Sequence, residues 1–122
     1  MIIMDSYGWI EYFAGGPLSD KYQKYLADPK NIITPVIVVY EVYKKIKRER
    51  GEKAALETLT HITRTNIVPL DETLAVKAAD ISLDFRLPMA DAIVYASGVI
   101  KNCKIVTSDP HFKGLPKVIF IE

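Results

Sequence analysis

Residues 87–112, LPMADAIVYASGVIKNCKIVTSDPHF, decide the fold because they encode a helix and a strand in succession. The apolar run after the Leu-Pro turn predicts a helix over residues 89–101, and the β-branched run that follows predicts a strand over 103–107. Asp91 then lies in the first turn of the helix, and Asp109 comes just after the strand. Open α/β sheets build their sites at the carboxyl ends of strands, so this stretch also predicts a functional edge.

The same alternation of strands and helices continues over the rest of the chain. We predict strands at 1–5, 31–34, 66–70, 103–107 and 117–121, and helices at 6–13, 19–29, 35–50, 52–63, 71–86 and 89–101. Such alternation is typical of an α/β protein with a mostly parallel sheet that helices cover on both faces. The length of 122 residues fits one domain, which we expect to span residues 1–122.

The segment VIVVY (36–40) is ambiguous, and it matters because Glu41 follows it directly. Its β-branched residues favour a strand by propensity. Thr34-Pro35 is instead typical of a helix N-cap with proline in the first turn, and apolar side chains continue at helical spacing. We therefore expect a helix from 35 to about 50, with Glu41 about two turns inside it.

Composition excludes several classes of protein. The formal net charge is +1, so the chain carries no global basic signal for nucleic acid. No apolar run is long enough to span a bilayer, and the N-terminus lacks the basic start of a signal peptide. The single Cys103 cannot form an internal disulfide, which is consistent with a reducing compartment. We expect a cytoplasmic protein with no membrane partner.

Four acidic residues fall at the predicted carboxyl edge of the sheet. They are Asp5, at the end of the first strand, Glu41, Asp91 and Asp109. Carboxylates gathered in one place repel one another unless a cation binds them, and hard divalent cations prefer oxygen ligands. The set therefore predicts a Mg²⁺ or Mn²⁺ site. We expect zinc less, because the only cysteine and the two histidines, His61 and His111, show no zinc-ligand spacing.

Each acid taken alone also has a structural explanation. Asp5 can cap the helix that follows, although Ser6 is an equally good N-cap. Asp91 complements a helix dipole, and Asp109 before a proline is a common turn residue. Glu41 can pair with a lysine three or four residues later. The shared edge is what favours the metal site over four separate structural roles.

The stretch KKIKRERGEK (44–53) is the concentrated basic segment of the chain. Such a run is usually a solvated helix face. Beside an acidic metal site it can instead guide a polyanion backbone toward the metal, and both interpretations stay open. If the second holds, the contacts to the polyanion backbone come from Lys44, Lys45, Lys47 and Arg48.

Four segments in order carry a family resemblance: MDSYGWIEYFAG (4–15), TPVIVVYEVYKKI (34–46), LPMADAIVYAS (87–97) and IVTSDPHF (105–112). With them the chain resembles the PIN-domain ribonucleases, specifically the VapC-type toxins of toxin–antitoxin pairs. The resemblance implies a three-layer α/β/α sandwich with a central parallel sheet. It also implies a Mg²⁺- or Mn²⁺-dependent endoribonuclease that a small antitoxin inhibits and that is usually a homodimer.

The family's functional residues carry over to positions in this chain. The family's four acids fall on Asp5, Glu41, Asp91 and Asp109, and its hydroxyl residues near the first and last acids fall on Ser6 and Thr107. The resemblance implies that the acids hold the metal and that Ser6 and Thr107 orient carboxylates or water. Tyr7 departs from the family, which often has a small residue there.

We therefore expect hydrolysis of RNA phosphodiester bonds by the toxin of a toxin–antitoxin pair. Two alternatives remain. One is a PIN-domain nuclease of RNA processing or quality control, for which no neighbouring antitoxin is expected. The other is a catalytically silent PIN domain that binds RNA or protein, for which a divalent cation should not raise the melting temperature.

Overall fold

Five parallel strands form the centre of the molecule, and the computed structural model describes all residues from 1 to 122. The strands are β1 (Ile2–Met4), β2 (Ile32–Pro35), β3 (Asn66–Val68), β4 (Lys104–Thr107) and β5 (Val118–Phe120). Their order across the sheet is β3-β2-β1-β4-β5, and every neighbouring pair is parallel. The prediction of a mostly parallel sheet is confirmed.

Six helices surround the sheet. They are α1 (Ser6–Ala14), α2 (Ser19–Leu26), α3 (Val36–Arg50), α4 (Glu52–Ile62), α5 (Glu72–Phe85) and α6 (Met89–Lys101). Along the chain, α1 packs against α2 and α3, α3 packs against α4, and α5 packs against α6. The result is the expected three-layer α/β/α arrangement. No helix in it is both long and apolar enough to cross a bilayer.

The strand order creates a switch point between β1 and β4. The chain moves from β1 through β2 to β3 on one side, and then crosses to β4 on the other side of β1. The connections that leave β1 and β4 diverge at this point and leave a crevice at the carboxyl edge, where α/β proteins bind their ligands. Asp5 follows β1 directly, and Asp109 follows β4 by two residues.

The segment VIVVY forms helix α3, as its apolar spacing predicts and against its β propensity. Val38, Val42 and Ile46 are buried on one face, and burial of such a stripe outweighs the small propensity difference between β-branched and other residues. The helix begins at Val36, one residue later than expected, because Pro35 still pairs with β3. It ends at Gly51, whose φ of 89° suits glycine.

Helix α6 packs unusually closely on the central strands. A Cβ added at Gly98 would lie 3.0 Å from the Ile105 side chain of β4 and 3.1 Å from the carbonyl oxygen of Cys103, so any larger residue would force these neighbours to shift. Apolar side chains of α6 from Ala92 to Ala96 are buried in the same core as β1 and β4. This contact fixes the start of α6, and with it Asp91, over the switch point.

One predicted detail at the start of α1 is wrong. Ser6 is not the N-cap, because the helix begins at Ser6 and Asp5 holds the capping position. Asp5 has the extended backbone of an N-cap, but its side chain makes no capping hydrogen bond. Its carboxylate is therefore available for another partner.

Candidate metal centre

The Asp5 carboxylate makes no capping hydrogen bond to the helix that follows it. Its side chain is almost inaccessible, with the residue only 1% exposed. One carboxylate oxygen, Oδ2, accepts a hydrogen bond of 2.8 Å from the hydroxyl of Thr107 at the end of β4. The backbone N–H of Asp5 donates to Val106, so sheet pairing holds the residue in place. A capping role does not account for this side chain.

Thr107 also holds Asp109. The backbone N–H of Asp109 donates to the Thr107 hydroxyl oxygen at 2.9 Å, so a single buried hydroxyl links the residues that follow β1 and β4. The Asp109 carboxylate is buried, and its Oδ1 accepts from the backbone N–H of His111 at 2.9 Å. That bond opens a short 3-10 turn at Pro110–Phe112. Asp109 therefore does act as a turn residue, and it also faces the crevice.

Asp91, in the first turn of helix α6, reaches the same place. Its carboxylate oxygen Oδ2 lies 2.9 Å from His111 Nδ1, and the same nitrogen lies 3.1 Å from Asp109 Oδ1. Ligand atoms of these three residues all lie within 4.8 Å of one another, a spacing at which one cation can contact all of them. The Asp91 side chain is only 13% exposed, so little water solvates the charge.

The sequence did not identify His111 as part of this group. The two histidines show no ligand spacing in the sequence, yet the turn after Asp109 brings the His111 ring against two of the acids. The sequence does contain one indication of this contact, the succession Asp109-Pro110-His111. An aspartate before a proline often begins a tight turn, which brings the next residue back toward the aspartate.

Glu41 completes the acidic group from α3. It is half-buried, and burial raises its pKa, with the negative charge of Asp5 adding to the shift and the Ser6 hydroxyl opposing it. The predicted lysine pairing does not form, since Lys45 pairs with Glu49 at 3.7 Å and Lys44 contacts the Tyr40 hydroxyl at 3.2 Å.

The electrostatics of the group show an excess of negative charge. Burial above all, together with the charges of Asp91 and Asp109, raises the pKa of Asp5 to about 7 against the opposing hydrogen bonds from the Thr107 hydroxyl and the Ser6 backbone. Burial also raises the pKa of Asp91 to about 6, with Asp109 adding and His111 opposing. Buried carboxylates without a compensating charge are costly, and a divalent cation supplies that charge. The donor set of carboxylate oxygens fits such an ion.

An open groove of about 810 Å³ leads away from the acidic group along α1 and α3. Ser6, Tyr7 and Glu41 line the end near the acids. Lys44, Lys45 and Arg48 line the side formed by α3. Lys47 lies outside the groove, where it pairs with Glu52 at 3.6 Å. The groove therefore runs from Glu41, one of the four acids, past three of the four basic residues singled out from the sequence.

A buried tyrosine supports the loop that carries Asp109. The Tyr22 hydroxyl and the Ser108 hydroxyl are 2.6 Å apart, and the Tyr22 ring is fully buried beside Gly8. A side chain on Gly8 would collide with Met4 and Tyr22, so α1, α2 and β1 meet closely here. This contact between α2 and the β4 loop is not visible in the sequence, because 86 residues separate its partners.

Comparison with known proteins identifies relatives. The family profile described as the PIN domain matches residues 2–118. No curated protein sequence matches the chain. Among solved structures, a toxin–antitoxin complex from Klebsiella pneumoniae superposes with a TM-score of 0.83 at 21% identity, over 98% of this chain and 96% of that one.

Two further structures share the fold. VapC20 of Mycobacterium tuberculosis, a toxin that cleaves the sarcin–ricin loop, has a TM-score of 0.81 at 18% identity and full coverage of both chains, 100% and 100%. VapBC2 of Rickettsia felis, bound to a DNA fragment from its promoter, has a TM-score of 0.74 at 16% identity, over 98% and 97%. At these identities the likeness is one of fold.

Proposed function

The chain belongs to the PIN-domain family, and from that premise we propose that it is a divalent-metal-dependent endoribonuclease that hydrolyses RNA phosphodiester bonds. One observation carries the proposal: three buried or nearly buried carboxylates, with an excess of negative charge, meet at the switch point of the sheet. Beside them, Glu41 lines a groove whose α3 side carries the basic residues Lys44, Lys45 and Arg48. We treat residues 1–122 as a single nuclease domain.

We assign metal binding and catalysis to Asp5, Glu41, Asp91 and Asp109, with Mg²⁺ or Mn²⁺ as the ion. A bound divalent cation supplies activation of water and neutralises charge on the phosphate. Thr107 holds the Asp5 carboxylate by donating a hydrogen bond and holds the backbone of Asp109 by accepting one. Ser6 is buried beside Glu41 and limits the positions that this carboxylate can take.

The groove accounts for the choice of a polyanionic substrate. Lys44, Lys45 and Arg48 lie along one wall, and cationic side chains beside an acidic centre attract a phosphate backbone toward a metal that the acids hold. The net charge of +1 leaves this local patch as the source of attraction. The other predicted contact, Lys47, faces away from the groove, so we assign it no direct part in binding.

We further propose that the protein is the VapC-type toxin of a toxin–antitoxin pair, that it acts in the cytoplasm as a homodimer, and that a small cognate antitoxin inhibits it. The similarity in fold to a toxin–antitoxin complex and to an RNA-cleaving toxin supports this part of the proposal. Expression of the wild type should arrest growth, and expression of Asp91→Asn should not. Growth at the wild-type rate on expression of the intact protein would contradict the toxin assignment.

Cleavage of a synthetic single-stranded RNA tests the enzymatic core of the proposal. Asp5→Asn and Asp91→Asn should each lower the rate by about a thousandfold or more, which corresponds to about 4 kcal/mol of barrier. Asp84→Asn is the matched control, because Asp84 is an exposed acid near the end of α5. EDTA should abolish wild-type cleavage, and Mg²⁺ or Mn²⁺ should restore it. Undiminished cleavage by either site variant would overturn the mechanism.

A further inference from the structure

The imidazole of His111 occupies the space between two of the acids. From this geometry we infer that His111 is a nitrogen ligand of the metal, and that it makes the centre selective for Mn²⁺ and other first-row transition ions over Mg²⁺. The inference rests on the proposed function only in placing the ion at the same acids. It concerns a residue that the four-acid assignment does not include.

The distances suit a shared ligand sphere. Two ligand atoms at right angles around an ion, each about 2.1 Å from it, lie about 3 Å apart. Nδ1 of His111 lies 2.9 Å from Asp91 Oδ2 and 3.1 Å from Asp109 Oδ1. The three atoms can therefore form adjacent corners of one coordination shell without rearrangement of the backbone.

A hydrogen bond from a protonated imidazole to a carboxylate would give similar distances. The number of carboxylate oxygens that face the same ring nitrogen distinguishes the two cases. Nδ1 carries at most one hydrogen, and that hydrogen cannot lie in line with two separate carboxylate oxygens at once. A cation between the three atoms contacts each of them along its own lone pair. A metal therefore satisfies all three groups better than a proton does.

The backbone holds the ring in this position although the side chain is 57% exposed. The His111 N–H donates to Asp109 Oδ1, and the next residue, Phe112, is fully buried in the core. Thr107 fixes Asp109 in turn. The exposed edge of the imidazole faces solvent, so an ion can enter from that side and the ring can bind it without leaving its turn.

Ligand chemistry then sets the selectivity. Mg²⁺ binds oxygen ligands and keeps several waters, and it gains little from an imidazole. Imidazole suits the first-row transition ions, whose affinities for nitrogen-containing sites rise along the series from Mn²⁺. A site with acids alone would favour neither class strongly, and His111 adds the ligand that separates them.

Electron spin-echo measurement on the Mn²⁺-loaded, full-length protein tests the ligand directly. We expect modulation from a directly bound ¹⁴N nucleus in the wild type, its loss in His111→Ala, and its retention in His61→Ala. His61 is the matched control, because it is exposed and packs against Phe13 away from the acids. Absence of nitrogen modulation in the wild type, or its survival in His111→Ala, would overturn the inference.

Affinity measurements test the selectivity. Isothermal titration with each metal alone should show that His111→Ala weakens Mn²⁺ and Co²⁺ binding by about tenfold or more while Mg²⁺ binding changes much less. An equal loss for all three ions would overturn the inference, as would no loss for Mn²⁺. Circular dichroism in EDTA confirms that the variant is folded, and the wild-type spin-echo result stands without any variant.

The two proposals fail separately. A nitrogen signal from His111 in a protein that cleaves no RNA would remove the proposed function and leave this inference intact. Metal-dependent RNA cleavage by a protein with no nitrogen signal would do the reverse.

Discussion

Two buried polar groups lie on the same sheet and differ in charge. The first is the threonine pair, in which the hydroxyl oxygens of Thr34 and Thr65 lie 2.6 Å apart. The Thr65 hydroxyl donates onward to the carbonyl of Ile62 at 2.6 Å. Both hydroxyl hydrogens therefore have acceptors, and the pair carries no charge. The second is the acidic cluster of Asp5, Glu41, Asp91 and Asp109. It is also hydrogen-bonded, but burial and then the neighbouring negative charges raise the pKa of Asp5, Glu41 and Asp91.

The difference separates a structural polar group from a functional one. Burial alone does not mark a site, because the threonine pair is as buried as the acidic cluster. A neutral pair whose hydrogen bonds are all made contributes to stability. A buried cluster of like charges lowers the stability of the metal-free fold, and the usual reason for a protein to keep one is the chemistry it performs.

The largest expected effect is a gain in stability when one charge of the acidic cluster is removed. The folded pKa of Asp5 is about 7, above its usual 3.8, so folding favours the protonated form. Its contribution to stability is full below about pH 4 and is lost as the pH rises through about 7. At pH 8 in EDTA, the free energy of unfolding of Asp5→Asn should therefore exceed that of the wild type by a few kcal/mol. Each unit of pKa shift corresponds to about 1.4 kcal/mol.

Urea unfolding in EDTA at pH 8 and pH 4 measures this gain. The asparagine oxygen can still accept the Thr107 hydrogen bond, so the difference between the variant and the wild type should disappear at pH 4. Asp84→Asn, at an exposed position, should show no difference at either pH. A wild type more stable than Asp5→Asn at pH 8 without metal would remove the contrast between the two polar groups.

The next effect concerns Thr107, the neutral hydroxyl inside the acidic cluster. Thr107→Val removes the donor to Asp5 and the acceptor for Asp109 N–H, so both acids lose their orientation. We expect cleavage to fall by about tenfold to a hundredfold, the range typical when a partner of a metal ligand is lost. Thr107→Ser restores the hydroxyl and should recover most of the rate. Single-turnover cleavage at saturating metal compares the two variants. Equal rates for Thr107→Val and Thr107→Ser would show that the Thr107 hydroxyl does not orient the acids.

A similar change in the threonine pair should affect stability alone. Thr65→Val leaves the Thr34 hydroxyl without its partner, and an unpaired buried polar group costs about 1–3 kcal/mol. The loss should be the same at pH 4 and pH 8, with and without metal, and cleavage per folded molecule should not change. The double variant Thr34→Val/Thr65→Val should recover part of the stability. A metal-dependent loss would show that the two polar groups are coupled.

The smallest effect should come from the basic residues beside the acidic cluster. Lys44→Ala/Lys45→Ala removes two charges from the groove wall, and we expect KM for RNA to rise about threefold to tenfold at low salt. Lys47→Ala/Lys53→Ala removes the same charge outside the groove and should change KM little. The salt dependence of KM should weaken only in the first variant. Equal effects of both pairs would indicate attraction by total charge rather than by the groove.

Local pattern was enough to predict most of the secondary structure. Even VIVVY was predicted correctly as helix, because Val38, Val42 and Ile46 repeat every four residues and the helix buries all three. Asp71 caps α5 by accepting a hydrogen bond from the N–H of Leu74 at 2.9 Å, a contact across three residues that is typical of an aspartate at a helix start. Such features depend on residues a few positions apart, and the sequence displays those directly.

The sequence also predicted the edge at which the acids lie, but not the contacts among them. The bond between Thr107 and Asp5 joins residues 102 positions apart, and Thr34 meets Thr65 across 31 positions. The position of His111 depends on the turn after β4 and on the start of α6 together. A contact between residues so far apart in the chain leaves no pattern among neighbouring residues. The same is true of the contact between the turn after β4 and the start of α6.

The sequence by itself thus determined the strands and helices, the parallel class of the sheet and the placement of four acids at strand ends and on the helices that begin there. Tertiary structure alone decided the strand order, the approach of α6 to β4 at Gly98, and the distances among Asp5, Asp91, Asp109 and His111. The physical reason is range. Periodic burial and backbone hydrogen bonding act between near neighbours in the chain, whereas the charge density of the site arises from packing between separate layers.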